Sequence, residues 1–335
     1  MRPREGDFIE TTEGLIFDVK GLIHPPRRVV AYVRYVPDAC GNREREGIRY
    51  RKVYSLKKRR KILRERWPIY IYNDRVFNRE MQGVPLGKVK VHYLPIEKLR
   101  KLVDRRDLNN MERKALELCD LLRSATDLPW RYLGVSGSLL VGLQTNSSDI
   151  DIIVYGIEAG RIGHEALKAL VGEAKDFKAY SQSDLHKLYR NRSMEDSMKF
   201  EDFARHEARK VLQGKFRGVD YFVRCVKDWD EVEERYGENV YYPMGRVLLQ
   251  ATIEDDKENI LTPCRYRIKD VRVLRDRIKT PPVEIVSFRG RFCEQTRRNE
   301  DIMAEGTLER IVGKRGDIFR LVVGEHPSDY LMTLR

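Results

Sequence analysis

The chain has little that would staple, ligate or anchor it. Its five cysteines, Cys40, Cys119, Cys225, Cys264 and Cys293, are scattered, odd in number and contain no Cys-x-x-Cys pair. That indicates neither a disulfide framework nor a zinc site, and points to a reducing compartment. No stretch approaches the ~20 apolar residues of a membrane span. The opening "MRPREGDFIE" has no apolar signal-peptide run. The expectation is a soluble, cytoplasmic protein with no membrane partner. Among the six histidines there is no His-Glu-x-x-His; His164, His186 and His206 fall on predicted helices and read as structural or exposed. "VGKRGD" (312–317) lacks the glycine spacing and hydroxyl of a P-loop. "GVSGS" frames Ser136 without forming a G-x-S-x-G elbow, which argues against a serine hydrolase.

What the chain has is charge. Of 335 residues, 35% are charged, against roughly 25% in an average globular protein. Such a density fits the surface ion-pair networks of a thermophile. Sixty-five basic residues against 52 acidic ones leave a net +13, which favours a polyanionic partner, nucleic acid first. A hydrophobic share of 41% is too high for a disordered chain.

The pattern divides the chain into three: a β-rich region with a basic helix (1–105), a central α/β segment (106–235) and a C-terminal β-sheet or barrel (236–335). In the first, "SLKKRRKILRERW" (55–67) predicts a helix stopped by Pro68, with Leu56, Ile62, Leu63 and Trp67 inward. In the second, a helix over "NNMERKALELCDLLRSAT" precedes a short strand, a glycine turn, a helix over "LLVGLQT" (139–145), and the strand "DIDIIVYG". "RGVDYFVRCVKD" (217–228) predicts a further strand. The fold class is α+β.

Side chains alternate faces along a strand, so "DIDIIVYG" places Asp149 and Asp151 on one face and Ile150 and Ile152 on the other. Two carboxylates this close repel unless they share a cation, and hard oxygen donors suit Mg²⁺, with Mn²⁺ as a substitute. Two such ions clamp the attacking and leaving oxygens of a phosphoryl displacement. Gly137 lets the backbone approach closely, and the Ser138 hydroxyl at a helix start is placed to donate to a phosphate oxygen. Asp220 begins a strong β run, on one face with Phe222 and Arg224. If that strand pairs beside "DIDIIVYG", Asp220 becomes the third carboxylate, binding metal and orienting or deprotonating an acceptor hydroxyl.

"GVSGSLLVGLQTNSSDIDIIVYG" (134–156) resembles the signature of the DNA polymerase β-type nucleotidyltransferase superfamily: Gly-Ser, a short helix, then Asp-x-Asp on a strand. The likeness covers residues 110–230, with Asp220 at the place of that superfamily's third carboxylate. The whole chain also resembles an uncharacterised archaeal group of predicted nucleotidyltransferases, through openings such as "GDFIETTEGLIFDVKG" and "YVRYVPD". The resemblance implies a mixed nucleotidyltransferase sheet flanked by β-rich domains, and Mg²⁺-dependent transfer of a nucleoside monophosphate from an NTP to a hydroxyl. Catalytic and metal-binding roles fall to Asp149, Asp151 and Asp220, and nucleotide binding to Gly137 and Ser138. The basic runs at 57–66 and 186–192, with Trp67, Tyr70, Tyr72 and Tyr189 for stacking, favour an RNA 3′ end as acceptor. Transfer to a protein or small molecule, and a nucleic-acid-binding module with a vestigial site, are the alternatives.

Overall fold

The computed structural model describes residues 1–173, 175–192, 198–275, 280–314 and 316–334. The architecture is α+β, with strands in three sheets and helices between them. The chain packs as two units. The first holds 1–75, 79–166 and 216–236; the second holds 76–78, 167–215 and 237–335.

In the first unit, β1 (Phe8–Thr11), β2 (Ile16–Val19), β3 (Arg28–Pro37), β4 (Arg43–Arg45) and β5 (Ile48–Lys52) are followed by α1 (Leu56–Arg66). Then come β6 (Ile71–Asp74), β7 (Arg79–Pro85) and β8 (Val89–Tyr93). The order β4-β5-β3-β2-β1-β8 is antiparallel throughout, and β7 pairs β3 as well as β6. One core gathers Ile9, Phe17, Val29, Ala31, Val33 and Leu63, with Ile62 and Trp67 packed against it. Of the inward set expected of α1, Leu63 is buried and Ile62 and Trp67 are partly buried against this core; Leu56 is not in the cluster, and Arg59 is the other residue α1 buries. Ser55 caps α1 by accepting from Lys58 N–H at 3.4 Å, and the helix ends before Pro68. A second cluster packs Phe8, Ile16, Tyr35 and Tyr50 against Leu140, Val141 and Leu143. The N-terminal sheet thus lies directly on the segment that follows the Gly-Ser turn.

α2 (Pro95–Asp104) and α3 (Asn110–Thr126) lead to β9 (Leu133–Val135), α4 (Gly137–Leu140) and β10 (Ile150–Tyr155). Asn109 and Glu112 form a capping box that starts α3. The division between units falls within α5 (Ile157–Glu173). β11 (Phe177–Lys178), α6 (Gln182–Asn191), α7 (Phe200–Glu207) and β12 (Gln213–Phe216) follow, and β13 (Val219–Val226) returns to the first unit. There β10 lies between β9, antiparallel, and β13, parallel, so the sheet is mixed. Ile150, Ile152 and Val154, with Tyr221, Val223 and Cys225 in register, are buried on one face. α5 crosses that face closely, since a Cβ at Gly163 would meet Val154 at 3.9 Å.

The second unit is built on β14 (Asn239–Glu258), β15 (Cys264–Arg275), β16 (Glu284–Ser287), β17 (Asp301–Gly313), β18 (Gly316–Val322) and β19 (Tyr330–Thr333). The order β14-β15-β16-β18-β17 closes on itself because β14, 20 residues long, pairs both β15 and β17. Closure removes the sheet edges. Val247, Leu249, Ala251 and Ile253 alternate into the interior. α6 and α7 enclose their own cluster of Leu185, Met198 and Phe203.

Two expectations change. The helix predicted over 139–145 is a single turn, Gly137–Leu140, ended at Gly142, whose φ is +69°. A helix this short carries no useful macrodipole, because the effect sums over aligned peptides. Of the divisions predicted at 105/106 and 235/236, the second lies one residue from one of the several places where the chain passes between the units, and 167–215 of the expected central segment belong to the second unit. The first runs through a shared unit, where the cluster around Tyr35 and Leu140 joins the N-terminal sheet to the central strands.

Candidate functional site

The turn after β9 is held against β10 by main-chain bonding. Ser136 N–H donates to Asp151 O at 2.8 Å, and Ser136 Oγ donates to Gly6 O at 2.6 Å. Gly137 follows at φ +64°, where a Cβ would stand 1.9 Å from Asp151 Oδ2. The position therefore takes only glycine. Ser138 is 2% exposed, and its Oγ has no hydrogen-bond partner. A buried hydroxyl normally finds one, so its donor is available to a ligand oxygen at this turn. The loop on to Asp149 is closed by Thr145 N–H donating to Ser148 Oγ at 2.9 Å. Arg43 of β4 pins it by donating to Leu143 O and, at 3.4 Å, to Ser148 Oγ.

Asp149 and Asp151 are half-buried, while Ile150 and Ile152 on the opposite face are fully buried. Burial and the neighbouring Asp149 carboxylate push Asp151 up to about 7, against the pull of Arg224, Lys52 and Arg34. Burial and the Arg34 charge push Lys52 down to about 8, while both aspartates pull it up. The parallel register pairs Ile150 with Tyr221 and Asp151 with Phe222, so Asp220, Phe222 and Arg224 share the face of the two aspartates. Asp220 is exposed at the start of β13. Arg224 bonds Glu5, whose other oxygen accepts from Gly21 N–H at 2.7 Å, and Lys20 joins Glu5 at 2.9 Å and Asp18 at 3.0 Å.

Among the described residues, no group of three or more His, Cys, Asp or Glu side chains is arranged to hold a metal ion. The two half-buried aspartates are hard oxygen donors close enough for Asp149 to act on the Asp151 charge. That donor set fits Mg²⁺, which keeps several waters and shares substrate phosphates instead of entering an all-protein cage. Gly137 and Ser138 are brought to the pair; Asp220 is brought to the same face, on the neighbouring strand.

The basic runs are more engaged than their composition implies. Arg59 is 3% exposed and donates through Nε to Val53 O at 2.9 Å, so it is a structural residue of α1 and not a surface cation. Arg60 and Arg64 both pair with Glu80, at 3.2 and 2.6 Å. Lys57 and Lys58 remain exposed. In the second run, Arg192 pairs with Glu207 at 2.9 Å and His186 stacks on Phe200 at 3.6 Å. Tyr70 is fully buried, and Tyr189 packs edge-on to Phe200 and Phe203, so neither is free to stack on a base. His206 is buried, with Nδ1 donating to Asp202 O at 2.6 Å and Nε2 accepting from Thr333 N–H at 3.0 Å.

The cations around the aspartates, Arg34, Arg43 and Lys52, come from the N-terminal sheet and lie about a hundred residues away in sequence. No local spacing announces them.

Among the described residues, no helix is long and apolar enough to cross a membrane. No family model matches the chain, and no solved structure matches it. The uncharacterised protein MJ1086 of Methanocaldococcus jannaschii is 32% identical over 334 residues, an alignment covering 97% of this chain and 96% of that protein. At that identity over nearly the whole of both chains, this protein belongs to the same family as the archaeal MJ1086.

Proposed function

We propose that the protein is a nucleotidyltransferase, moving a nucleoside monophosphate from an NTP to a hydroxyl acceptor with release of pyrophosphate. The observation that carries this is Asp151 on β10, seated against Gly137, with Asp149 just before the strand and Asp220 on the Asp151 face of the parallel strand β13. Asp149 and Asp151 would hold Mg²⁺, or Mn²⁺ in its place. Bound there, the ion supplies positive charge to the triphosphate and to the departing pyrophosphate. Ser138 Oγ donates to a phosphate oxygen. Asp220 takes the proton of the acceptor hydroxyl. The acceptor oxygen bonds to the α-phosphorus as the bond to the bridging oxygen breaks, and pyrophosphate leaves with that electron pair.

RNA is the acceptor we favour. The net +13 charge supports it, as does the closed five-stranded barrel of the second unit, since small barrels of the OB type bind oligonucleotides. Fold alone assigns no function, so the test is direct. The full chain is incubated with each α-labelled NTP, Mg²⁺ or Mn²⁺, and total RNA or cell lysate. Label in RNA supports the assignment. Label in protein or a small molecule keeps the chemistry and changes the acceptor. No label with either metal overturns nucleotidyl transfer and leaves a nucleic-acid-binding protein with a vestigial site.

A further inference from the structure

The N-terminal sheet brings a charged edge to the aspartate pair, and that edge ends in an exposed ring. β3 and β5 run antiparallel with Tyr35 opposite Lys52, and Val53 N–H donates to Arg34 O at 2.9 Å. Tyr35 and Tyr50 of these strands pack on Leu140, Val141 and Leu143, the segment between the Gly-Ser turn and the aspartates. Lys52 Nζ stands 5.1 Å from the Tyr54 ring centroid, and the Arg34 guanidinium stands 5.7 Å from it. Asp151 lies in the field of both cations. Tyr54 is 68% exposed.

Neighbouring cations on this sheet are taken. Arg43 bonds Leu143 O, Arg45 pairs with Glu10 at 2.6 Å, and Arg51 pairs with Asp38. Among the described residues, Arg34 and Lys52 have the ring and the field of the aspartates, and no carboxylate at ion-pair distance. The Arg34 charge works against that of Lys52, and with no carboxylate in direct contact a bound polyanion relieves that repulsion. A guanidinium and an ammonium are the side chains that recognise phosphate oxygens. An exposed phenol ring at the same spot is a stacking platform that tolerates any base.

We propose that Arg34, Lys52 and Tyr54 form the nucleotide subsite: the two cations hold the triphosphate, and the Tyr54 ring stacks on the base. The proposal rests on the nucleotidyl-transfer reading and adds that substrate recognition comes from the N-terminal sheet. The ligand class is a nucleoside triphosphate recognised by its phosphates and the flat face of its base.

The test is calorimetric titration of the full chain, in Mg²⁺, with α,β-methylene-ATP, whose bridge resists transfer, and separately with inorganic tripolyphosphate. Tyr54→Ala should weaken the nucleotide about ten-fold, within the range for one stacked base, and leave tripolyphosphate unchanged. Tyr54→Phe should keep both affinities. Lys52→Met and Arg34→Met should weaken both ligands. Tyr54 touches no core, so its variants should melt as the wild type does. If the wild type binds nucleotide and all these variants match it, the subsite is overturned while nucleotidyl transfer stands. If the wild type binds neither ligand, both fall together.

Discussion

A Cβ placed on Gly137 would stand 1.9 Å from Oδ2 of Asp151 and 3.0 Å from its Cβ. The first contact involves a carboxylate that can rotate, but the second involves an atom held by β10. Alanine at 137 must also keep φ near +64°, a conformation costing roughly 1–2 kcal/mol for a residue with a side chain. Gly137→Ala should therefore lower stability by about 1–3 kcal/mol and displace Asp151. Chemical denaturation should show part of that loss recovered in the Asp151→Ala background, where the carboxylate is gone. Equal losses in both backgrounds would separate Gly137 from Asp151.

Asp149→Asn and Asp151→Asn should each nearly abolish transfer without unfolding the chain. The pH dependence has a definite sign. Asp151 is raised from 3.8 to about 7 by burial and by Asp149. Its contribution to stability is fully present below the unfolded value and is lost as pH rises through the folded one. In metal-free buffer the wild type should lose stability between about pH 4 and 7 from this group, and Asp151→Asn should not. Melting curves across that range in a chelator provide the comparison. Full transfer by either variant would remove the pair from the site.

For Asp220, the expectation is a split between binding and turnover. A residue acting on the acceptor hydroxyl works in the transition state, so Asp220→Ala should cut kcat far more than NTP affinity. An unchanged kcat would leave the acceptor's proton to another group.

His24 supplies a pH signature remote from the chemistry. Its Nδ1 accepts from Val30 N–H at 3.2 Å and its Nε2 donates to Pro3 O at 2.9 Å, which sets the neutral ring. Burial pushes its pKa down to about 4, against the Pro3 hydrogen bond. The stability it contributes is present above about 6.5 and is lost as pH falls through about 4. His24→Gln should flatten the acid limb of the stability curve over that interval. The same slope in wild type and variant would assign the acid loss elsewhere.

RNA binding, if it runs through α1, should depend on the lysines that remain exposed. Lys57 and Lys58 are exposed, as is Lys61, which lies 3.7 Å from Glu65. Each backbone contact to a single strand adds roughly −0.7 to the slope of log affinity against log salt. Reversing these three charges should flatten the slope while leaving nucleotide affinity intact. RNA binding by the wild type that ignores salt would exclude phosphate contact as the mode.

Alternation along "DIDIIVYG" was enough to place Asp149 and Asp151 together, because burying Ile150 and Ile152 leaves the other face for the acids. The bounds of α1 were legible too: Ser55 satisfies a free N–H at one end, and Pro68 cannot continue the helix. These are interactions between near neighbours, and the sequence carries them directly. Tertiary structure decided the rest. Arg59 reads as one more basic residue in a run, and only the fold offers it Val53 O. The turn after Gly137 is cut short because Leu140, Val141 and Leu143 are drawn into the aromatic cluster of the N-terminal sheet. β10 meets β13 across some 70 residues, and Lys52 meets the aspartates across nearly 100, through packing that no local pattern encodes. The sequence by itself determined which side chains share a strand face; only the tertiary structure decided which strands, and which cations, that face would meet.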